Sequence, residues 1–498
     1  MTAIAPHLPV LQVLVPMFAA VFTSFMRRGN SAWLMAVAAS WLSLAISLAL
    51  LAQVLQSAAP VSYVLGGWAV PFGIEYRVDR LNGFVLLIVN LVGSMIIPFA
   101  GTSVRKEIDG NQQAWFYTMY LLCLTGLLGI SVSGDAFNVF VFLEVSSLST
   151  YVLIAMGRHR RALLASYQYL IIGTIGASFY VIGIGLLYLA TGSLNLADIA
   201  SRIGPGMTEY SRPILAALAF LSVGICLKLA LFPLHVWLPN AYAYAPSAAA
   251  AFLAGTATKV AVYLLIRIYF SIYGVAFGID VLPVYMVVLL LSLAAMLIAS
   301  FSAIFEANAK RMLAYSSVAQ IGYITLGIAL ANVSGLTGGL VHMFNHAMIK
   351  TTLFMALGAV FYRIGSVQVA DMAGIGRRMP VTMAAFTVAG LGLIGIPGTA
   401  GFISKWYLVI GAIERGYWPV VALVVASSLL AVIYVGRVVE SAYFREPSKT
   451  VRDATDPPAL MLVPIAVLAA LSVYFGLDTR LSAGLARGAA EMLLGGMR

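Results

Sequence analysis

A small set of ionisable side chains lies inside long apolar stretches of the 498-residue chain. An ionisable group at the centre of a bilayer costs about 3 kcal/mol even on lenient insertion scales, so such a residue usually marks an ion path or a proton relay. The set comprises one carboxylate, four lysines and three histidines, namely Glu144, Lys228, Lys259, Lys350, Lys405, His235, His342 and His346. These residue types predict acid–base exchange of protons within a membrane.

Three of these residues follow a helical repeat. His342, His346 and Lys350 are each four residues apart, which places them on one face of a helix over two turns. We expect this stripe to line a hydrated seam; the alternative is that the histidines only hydrogen-bond to neighbouring helices. The stretch AYSSVAQIGY offers Ser316 and Gln320 either as supporting polar groups or as contacts that hold helices together.

The buried carboxylate and the lysines can form pairs whose proton content changes with distance. A carboxylate close to a lysine stabilises the charged lysine, whereas burial disfavours it. Movement of Glu144 relative to a lysine would therefore load or release a proton. Arg267 lies nearer the end of its segment, where we expect it to anchor to lipid headgroups.

Two prolines interrupt segments that also carry a lysine. Pro233 follows Lys228 by five residues in CLKLALFPLHVWLP, and Pro397 precedes Lys405 by eight in GLGLIGIPGTAGFISK. A proline removes a helix hydrogen bond, and interrupted membrane helices often line ion sites near the midplane. We expect both helices to be broken, with His235 capping the free backbone of the first.

The elements that position these residues are membrane helices. The chain is 62% hydrophobic and 9% charged, whereas soluble domains carry about 25% charged residues. Runs of about 20 apolar residues are long enough to cross a bilayer. We predict an all-α polytopic membrane protein whose fourteen segments are approximately 8–26, 31–56, 78–101, 113–133, 135–156, 166–191, 213–239, 247–273, 279–300, 312–330, 334–362, 382–411, 416–436 and 458–477.

The net charge of +11 is explained by membrane topology and does not require nucleic acid as a partner. With the N-terminus outside, the loops expected inside hold 16 basic residues and those outside hold 8. This bias follows the positive-inside rule and places both termini on the outer side. Because Arg27 and Arg28 follow the first segment, we expect that segment to be retained as a helix.

No cofactor or metal site is expected. The two cysteines, Cys123 and Cys226, lie in separate apolar stretches, and the sequence has no CxxC motif or metal-ligand spacing. His342 and His346 share one helix, which disfavours haem held between two helices. We therefore expect an ion transporter without a redox centre of its own.

The broken segments are the seventh and twelfth, five apart. Since five is odd, two five-helix repeats would cross the membrane in opposite directions, which gives inverted pseudo-symmetry. We expect the tail 482–498 to be weakly amphipathic. The predicted organisation is three N-terminal helices (1–112), a first repeat of helices 4–8 (113–273), a second repeat of helices 9–13 (279–436), and a last helix with its tail (437–498).

Four stretches between residues 113 and 436 resemble the antiporter-like subunit family. They are KLALFPLHVWLPNAYAYAPSAAAAFLAGTATKVAVY, KRMLAYSSVAQIGY, HMFNHAMIKTTLFMALG and GIPGTAGFISKW. The family includes the D subunit of Mrp-type cation/proton antiporters and the proton-pumping membrane subunits of respiratory complex I and related hydrogenases. The resemblance implies fourteen helices, two inverted repeats, breaks in helices seven and twelve, and a central polar axis in a bacterial plasma membrane.

The resemblance also implies residue roles. Glu144 resembles the fifth-helix glutamate that pairs with the seventh-helix lysine, here Lys228. Lys259 resembles the eighth-helix lysine, the stripe of His342, His346 and Lys350 resembles the polar face of helix eleven, and Lys405 resembles the terminal lysine of helix twelve. Asn240 departs from the family, in which many members have aspartate; no charge role at that loop is therefore carried over, and the membrane axis is left intact.

The function implied is proton translocation in a multisubunit Mrp-type Na⁺/H⁺ antiporter, beside other membrane subunits. Protons would enter near Glu144 and Lys228, pass Lys259 and the helix-eleven stripe, and leave near Lys405. A lysine at position 405 fits the Mrp D subunit better than the complex I subunit that carries glutamate there. The alternative is the same module in a complex I-like NADH-quinone oxidoreductase, a membrane-bound hydrogenase or a formate hydrogenlyase.

Overall fold

The computed structural model describes residues 4–57, 59–203, 211–276 and 283–495. The predicted start of the ninth segment, at 279–282, and the tail residue Arg498 lie outside these ranges. The described chain is mostly helical, with two short strands. Its helices are α1 (Leu8–Ser24), α2 (Gly29–Gln56), α3 (Arg80–Glu107), α4 (Gln113–Val132), α5 (Ala136–Ala155), α6 (Arg161–Thr191), α7 (Leu196–Arg202), α8 (Ser211–Leu229), α9 (Trp237–Tyr244), α10 (Ser247–Gly255), α11 (Ala257–Ile266), α12 (Gly274–Ala276), α13 (Val284–Ala294), α14 (Ser300–Phe305), α15 (Ala309–Ala329), α16 (Val333–Ile364), α17 (Pro380–Ile394), α18 (Ala400–Glu414), α19 (Trp418–Phe444), α20 (Ala459–Leu477) and α21 (Arg480–Leu494).

The predicted membrane segments are present. Within the described ranges, 13 helical stretches are long and apolar enough to cross a membrane. The remaining predicted segment, the twelfth, is divided between α17 and α18. The polytopic all-α class is therefore confirmed; that the helices form two inverted repeats stays a prediction.

Both predicted helix breaks occur. In the seventh segment, α8 ends at Leu229, and α9 begins only at Trp237, after Pro233. In the twelfth, Gly395 caps α17 in the left-handed conformation (φ +90°), and Pro397 follows before α18 begins. A side chain at Gly395 would approach Lys405 Cδ to 2.9 Å, so glycine serves both the backbone turn and the close contact with the lysine.

The eighth segment carries an interruption that the sequence pattern does not predict. Its continuous apolar run 247–273 indicates one helix, but α10 and α11 meet at Thr256, whose φ of −123° and ψ of −58° are not helical. A π-helical turn, Arg267–Ile272, then continues the segment. Lys259 thus lies in the first turn of a new helix, close to irregular backbone.

A β-hairpin, absent from the predicted fold, covers one end of the bundle. Its strands β1 (Val61–Val64) and β2 (Glu75–Val78) are antiparallel, with Val61 opposite Val78. Buried Glu75 accepts hydrogen bonds from Ser62 Oγ (2.6 Å) and Asn195 Nδ2 (3.1 Å). We call this end of the bundle the hairpin face; it also includes the loop 133–135, α7 and α21.

The tail differs from its prediction. Instead of a weakly amphipathic stretch, α21 has a clear apolar side that packs against α3 and α16. Ala483, Ala486 and Ala490 are buried, whereas Arg487 and Glu491 are more than half exposed and form an ion pair of 2.8 Å. Small alanine side chains allow a close approach, so this helix closes the hairpin face over the ends of α3 and α16.

The centre of the molecule is formed by the helices that carry the polar stripe. Every residue of α16 from Gly335 to Val360 is buried, and α3, α10 and α15 surround it. The lysines and histidines of α16 and α11 therefore lie within protein, away from lipid. In such surroundings a polar group needs protein or water partners.

Candidate functional site

Glu144 and Lys228 form an ion pair at the break of the seventh segment. Lys228 lies next to the end of α8, and its Nζ is 3.8 Å from Glu144 Oε1 on α5. The lysine side chain is 8% exposed and the glutamate 28%, so the carboxylate is on the more open side of the pair. Lys228 also donates a hydrogen bond to Ser147 Oγ. The predicted pairing is therefore present, with a serine in contact as well.

A small cavity extends from Lys228 toward the eighth segment. Its volume of about 30 Å³ is enough for about two water molecules. Ser146, Ser147 and Lys228 line it on one side, and Ala257 and Val260 of α11 line it on the other. Water here would extend hydrogen bonding from Lys228 toward the helix that carries Lys259.

Lys259 is fully buried, and it is held by the irregular backbone before α11. Its Nζ donates to the carbonyl of Ala254 and lies 3.5 Å from Thr258 Oγ1. No hydrogen bond between described residues joins it directly to Lys228 or to Lys350. Proton exchange between these lysines therefore requires water or side-chain motion.

The stripe on α16 lies as the four-residue spacing predicts. The rings of His342 and His346 are almost parallel, with centroids 6.1 Å apart. His342 Nε2 donates to Gln320 Oε1 (2.8 Å), and Nδ1 is 2.8 Å from Ser404 Oγ. Both nitrogens of the His346 ring are buried, with no hydrogen-bond partner among the described residues.

Lys350 completes the stripe one turn further on. Its Nζ donates to the carbonyl of Leu313 (2.7 Å) and to Ser316 Oγ, both on α15. Ser316 and Gln320 thus both contact the stripe, one at the lysine and the other at His342. The structure brings both predicted supporting residues into the site.

Lys405 binds backbone carbonyls at the break in the twelfth segment. Its Nζ donates to the carbonyls of Ile394 (2.7 Å) and Leu393 (3.3 Å) and to Ser428 Oγ (2.9 Å). The same ammonium group lies 4.7 Å from the centre of the Tyr323 ring. Carbonyls that the broken helix leaves free thus become acceptors for a buried cation.

A row of neighbouring side chains connects Lys405 to the stripe. The ring of Tyr323 lies between the lysine and His342, with 5.3 Å between the two ring centroids. Lys405, Tyr323, His342 and His346 are thus consecutive neighbours. This geometry supports a path from the centre of the bundle to the twelfth-segment break.

The two prolines and His235 do not belong to this row of side chains. Pro233 and Pro397 are exposed, consistent with a role in breaking the helices. The ring of His235 stacks on Phe232 at 5.3 Å, and its Nδ1 has no hydrogen-bond partner among the described residues. A capping or relay role for His235 stays a prediction.

Two basic residues differ from their sequence predictions. Arg267, expected to anchor to headgroups, is mostly buried, with 12% of its side chain exposed, and forms an ion pair with Asp79 at 2.6 Å. The segment boundaries place Lys310 in an inner loop, but it is buried in α15 and donates to Ser247 Oγ at 2.9 Å. Both positions lie close to helix ends in sequence, where burial depends on neighbours that segment boundaries do not indicate.

Three serines of the site were not identified from sequence. Ser147 lies three residues after Glu144, a spacing that places both on one helix face and could have indicated it. Ser404 directly precedes Lys405 in the chain, but its hydroxyl contacts His342 and not the neighbouring lysine. Ser428 contacts Lys405 across 23 residues, and no local pattern indicates this contact.

Comparison with known proteins shows where this architecture occurs. The family described as "NADH:quinone oxidoreductase/Mrp antiporter, TM" matches residues 133–431. The chain is 42% identical to the N subunit of the NADH-quinone oxidoreductase of Desulforudis audaxviator, over 95% of this chain and 96% of that protein. It is 29% identical to the D subunit of a Na(+)/H(+) antiporter of Alkalihalophilus pseudofirmus, over 83% and 82% of the two chains. A chain of the Mrp complex from Dietzia sp. superposes with a TM-score of 0.90 at 25% identity, covering 100% of this chain and 98% of that one.

Proposed function

The chain belongs to the NADH:quinone oxidoreductase/Mrp antiporter transmembrane family, and from this premise we propose that it moves protons along its buried axis of carboxylate, lysine and histidine side chains. It is an antiporter-like multi-pass membrane subunit of the Mrp or complex I type. Its relatives are subunits of multisubunit complexes, so its partners include other membrane subunits.

One observation carries the proposal: each end of the axis is a lysine beside a broken helix, and polar groups lie between the ends. Lys228 pairs with Glu144 at the first break, and Lys405 binds free carbonyls at the second. Lys259 and the α16 stripe lie between them. A buried lysine is a suitable proton carrier because its surroundings decide whether it is charged.

The proposed path begins at the Glu144–Lys228 pair. Separation of the pair would release the proton of Lys228 into the small cavity, toward Lys259. The stripe of Lys350, His346 and His342 would receive it, and Tyr323 would connect His342 to Lys405. His346, whose ring nitrogens have no described partner, is the member of the stripe most free to accept and donate a proton in turn.

We propose further that the complex is an Mrp-type antiporter that exchanges Na⁺ for protons across a bacterial inner membrane. The likeness to the antiporter relative and to the Mrp chain supports this, as does the terminal lysine, Lys405. The Na⁺ path would lie in partner subunits, because the buried axis is dominated by basic groups, which repel a metal cation.

The second candidate is a proton-pumping subunit of a redox complex. The 42% identity to a protein named as the N subunit of an NADH-quinone oxidoreductase favours it. The same lysine axis would then be driven by electron transfer in partner subunits. The two candidates differ in the driving reaction and share the proposed path.

Transport by everted membrane vesicles that contain the complete complex tests the proposal. We would compare the wild-type protein with Lys228→Ala, following the pH gradient after addition of sodium or of an electron donor. Lys449→Ala, which removes an exposed lysine, is the matched control. Proton movement driven by sodium and lost only in Lys228→Ala supports the antiporter, and movement driven by the donor supports the redox pump. An assembled Lys228→Ala complex with wild-type transport under both conditions would refute the relay.

A further inference from the structure

A second and larger cavity lies on the hairpin face, and neither Lys228 nor Lys259 lines it. Its volume is about 530 Å³. Pro60 and Ala197 line it and are exposed, so it opens at the surface. Its inner wall includes Asn82, Tyr263 and Arg267. The cavity therefore leads from the surface to a group of buried polar side chains on α3 and the eighth segment.

These side chains form a closed network around Arg267. Its guanidinium donates to Asp79 Oδ1 (2.6 Å) and to Asn82 Oδ1. The amide nitrogen of Asn82 donates to the carbonyl of Ser131 (2.7 Å) and to the hydroxyl of Tyr263 (2.8 Å). Arg267 Nε also donates to the Tyr263 hydroxyl at 3.3 Å. The network thus joins α3, α4 and α11 at the inner end of the cavity.

The network lies between the cavity and the relay. Tyr263 comes one helical turn after Lys259 in α11, and Arg267 comes one turn after Tyr263, so all three lie on one side of the eighth segment. Lys259 is fully buried, whereas the cavity reaches the surface. A proton that passed from the cavity to Lys259 would have to cross the network.

The directions of the hydrogen bonds oppose such a crossing. A proton wire requires each member to accept a hydrogen bond from one neighbour and donate to the next. The Tyr263 oxygen accepts from Asn82 and Arg267, and neither an amide nor a guanidinium releases a proton at physiological pH. The donors around Tyr263 therefore interrupt a wire between the cavity and Lys259.

Asp79 does not supply an alternative carrier. Its carboxylate accepts a hydrogen bond from the Arg267 guanidinium at 2.6 Å and from the N–H groups of Leu81 (2.9 Å) and Asn82 (3.1 Å), all of which favour its ionised form. The carboxylate is thus kept ionised as the partner of Arg267. Its role is to hold the guanidinium in place.

We propose that Arg267, positioned by Asp79 and Asn82, is a proton barrier that separates the hairpin-face cavity from Lys259. This inference deepens the proposed function and rests on it, since a barrier matters only if Lys259 belongs to a proton path. Without the barrier, protons would move between the hairpin face and the centre of the relay without being coupled to the partner subunits.

Accessibility of a cysteine at position 259 tests the barrier without requiring transport. The native cysteines are both buried and give a low background. In the complete complex, Lys259→Cys is expected to resist a small, membrane-impermeant cationic thiol reagent, whereas Ala197→Cys in the cavity wall reacts from the hairpin face. Adding Arg267→Ala should make Lys259→Cys react from that face at least about tenfold faster, because the guanidinium no longer fills the passage.

Passive proton flux shows whether loss of Arg267 lets protons cross between the hairpin face and the centre of the relay. Liposomes that contain the purified complex would receive an acid pulse, and Arg267→Ala is expected to raise the proton leak about tenfold. Arg415→Ala is the matched control, because the loop of Arg415 is expected on the same side of the membrane but, among the described residues, the arginine side chain donates only to the carbonyls of Leu330 and Ala331, at 2.8 Å. The control should leave the leak unchanged, and Lys259→Ala combined with Arg267→Ala should abolish the added leak.

The outcomes separate the two proposals. Rapid labelling of Lys259→Cys with Arg267 intact, or an assembled Arg267→Ala complex with neither added labelling nor added leak, would overturn the barrier while leaving the Lys228 result untouched. If Arg267→Ala does not assemble, Arg267→Gln keeps part of the hydrogen bonding and removes the charge, and the same two measurements decide. Labelling that depends on Arg267, in a complex without Lys228-dependent transport, would retain the barrier and reject the path.

Discussion

At the scale of single residues, neutral oxygen atoms hold most of the buried lysines. Lys259, Lys350 and Lys405 donate to backbone carbonyls or hydroxyls, and among the described residues none of them has a carboxylate within 4 Å. Lys228 differs because it has both a serine and Glu144. The proton content of Lys228 is thus the one that movement of a carboxylate can change most directly.

Ser147 is expected to assist this exchange. Ser147→Ala removes the hydroxyl that accepts the Lys228 hydrogen bond and leaves the ammonium group with one fewer partner, so sodium- or donor-driven transport should fall about tenfold, the factor for one hydrogen bond of ordinary strength. Proton transport by everted vesicles measures this.

Ser149→Ala provides the control for Ser147. Ser149 is on the same helix, but its hydroxyl donates to the carbonyl of Val145 at 2.6 Å and does not contact Lys228. Transport should be unchanged in that variant. Equal rates for both serine variants would show that the contact between Ser147 and Lys228 is not needed.

At the scale of elements, interruptions in the helices decide where the lysines bind. The break after α17 provides the carbonyls of Leu393 and Ile394 to Lys405. Lys259 binds the carbonyl of Ala254, which lies two residues before the irregular residue Thr256. A continuous helix would use these carbonyls internally. Each interruption therefore provides acceptors for a buried ammonium group.

Substitution of Gly395 tests whether the backbone turn at the break positions the Lys405 side chain. Gly395→Ala would introduce a methyl group 2.9 Å from Lys405 Cδ, at a φ of +90° that alanine adopts poorly. We expect Lys405 to be displaced and transport to fall by about tenfold or more, measured with vesicles and normalised to the amount of assembled complex.

Gly416→Ala separates strain from contact. Gly416 has a φ of +73°, also in the left-handed region, but nothing lies within 4 Å of the added carbon atom. This variant should lower the free energy of unfolding by about 1 kcal/mol and retain transport. Similar transport losses in both glycine variants would assign the effect to backbone strain and not to Lys405.

At the scale of the whole molecule, the bundle has two different ends. The hairpin, α7 and α21 cover one end, whereas the loops at the other end carry most of the basic residues. The larger cavity opens toward the hairpin face, and Glu144 is on the more open side of its pair. For the proposed path, the direction of proton uptake therefore depends on which end faces the cytoplasm.

The positive-inside bias predicts that the hairpin face is outside. Ala69→Cys, at the exposed tip of the hairpin, should react with an impermeant thiol reagent in intact cells. Lys449→Cys, in an exposed loop at the other end, should react only in everted vesicles. The reverse pattern would invert the orientation and place both termini in the cytoplasm.

The sequence by itself determined the membrane class, the approximate segments and the main members of the proposed axis. Long apolar runs and the cost of burying a charge are local properties, so Glu144, the four lysines and the α16 stripe could be identified without coordinates. The two broken helices were also predictable, because proline and glycine act on the backbone next to them.

Only the tertiary structure decided which partners these residues have. The contacts of Arg267 with Asp79 and of Lys405 with Ser428 join positions far apart in the chain, and the irregular Thr256 lies in an apolar run that gives no local signal. The hairpin and the buried side of α21 likewise depend on surfaces that other helices provide. A residue's type sets what it can bind, but burial and hydrogen bonding are set by neighbours that folding brings together, and the course of the proposed path and the position of the proposed barrier rest on these contacts.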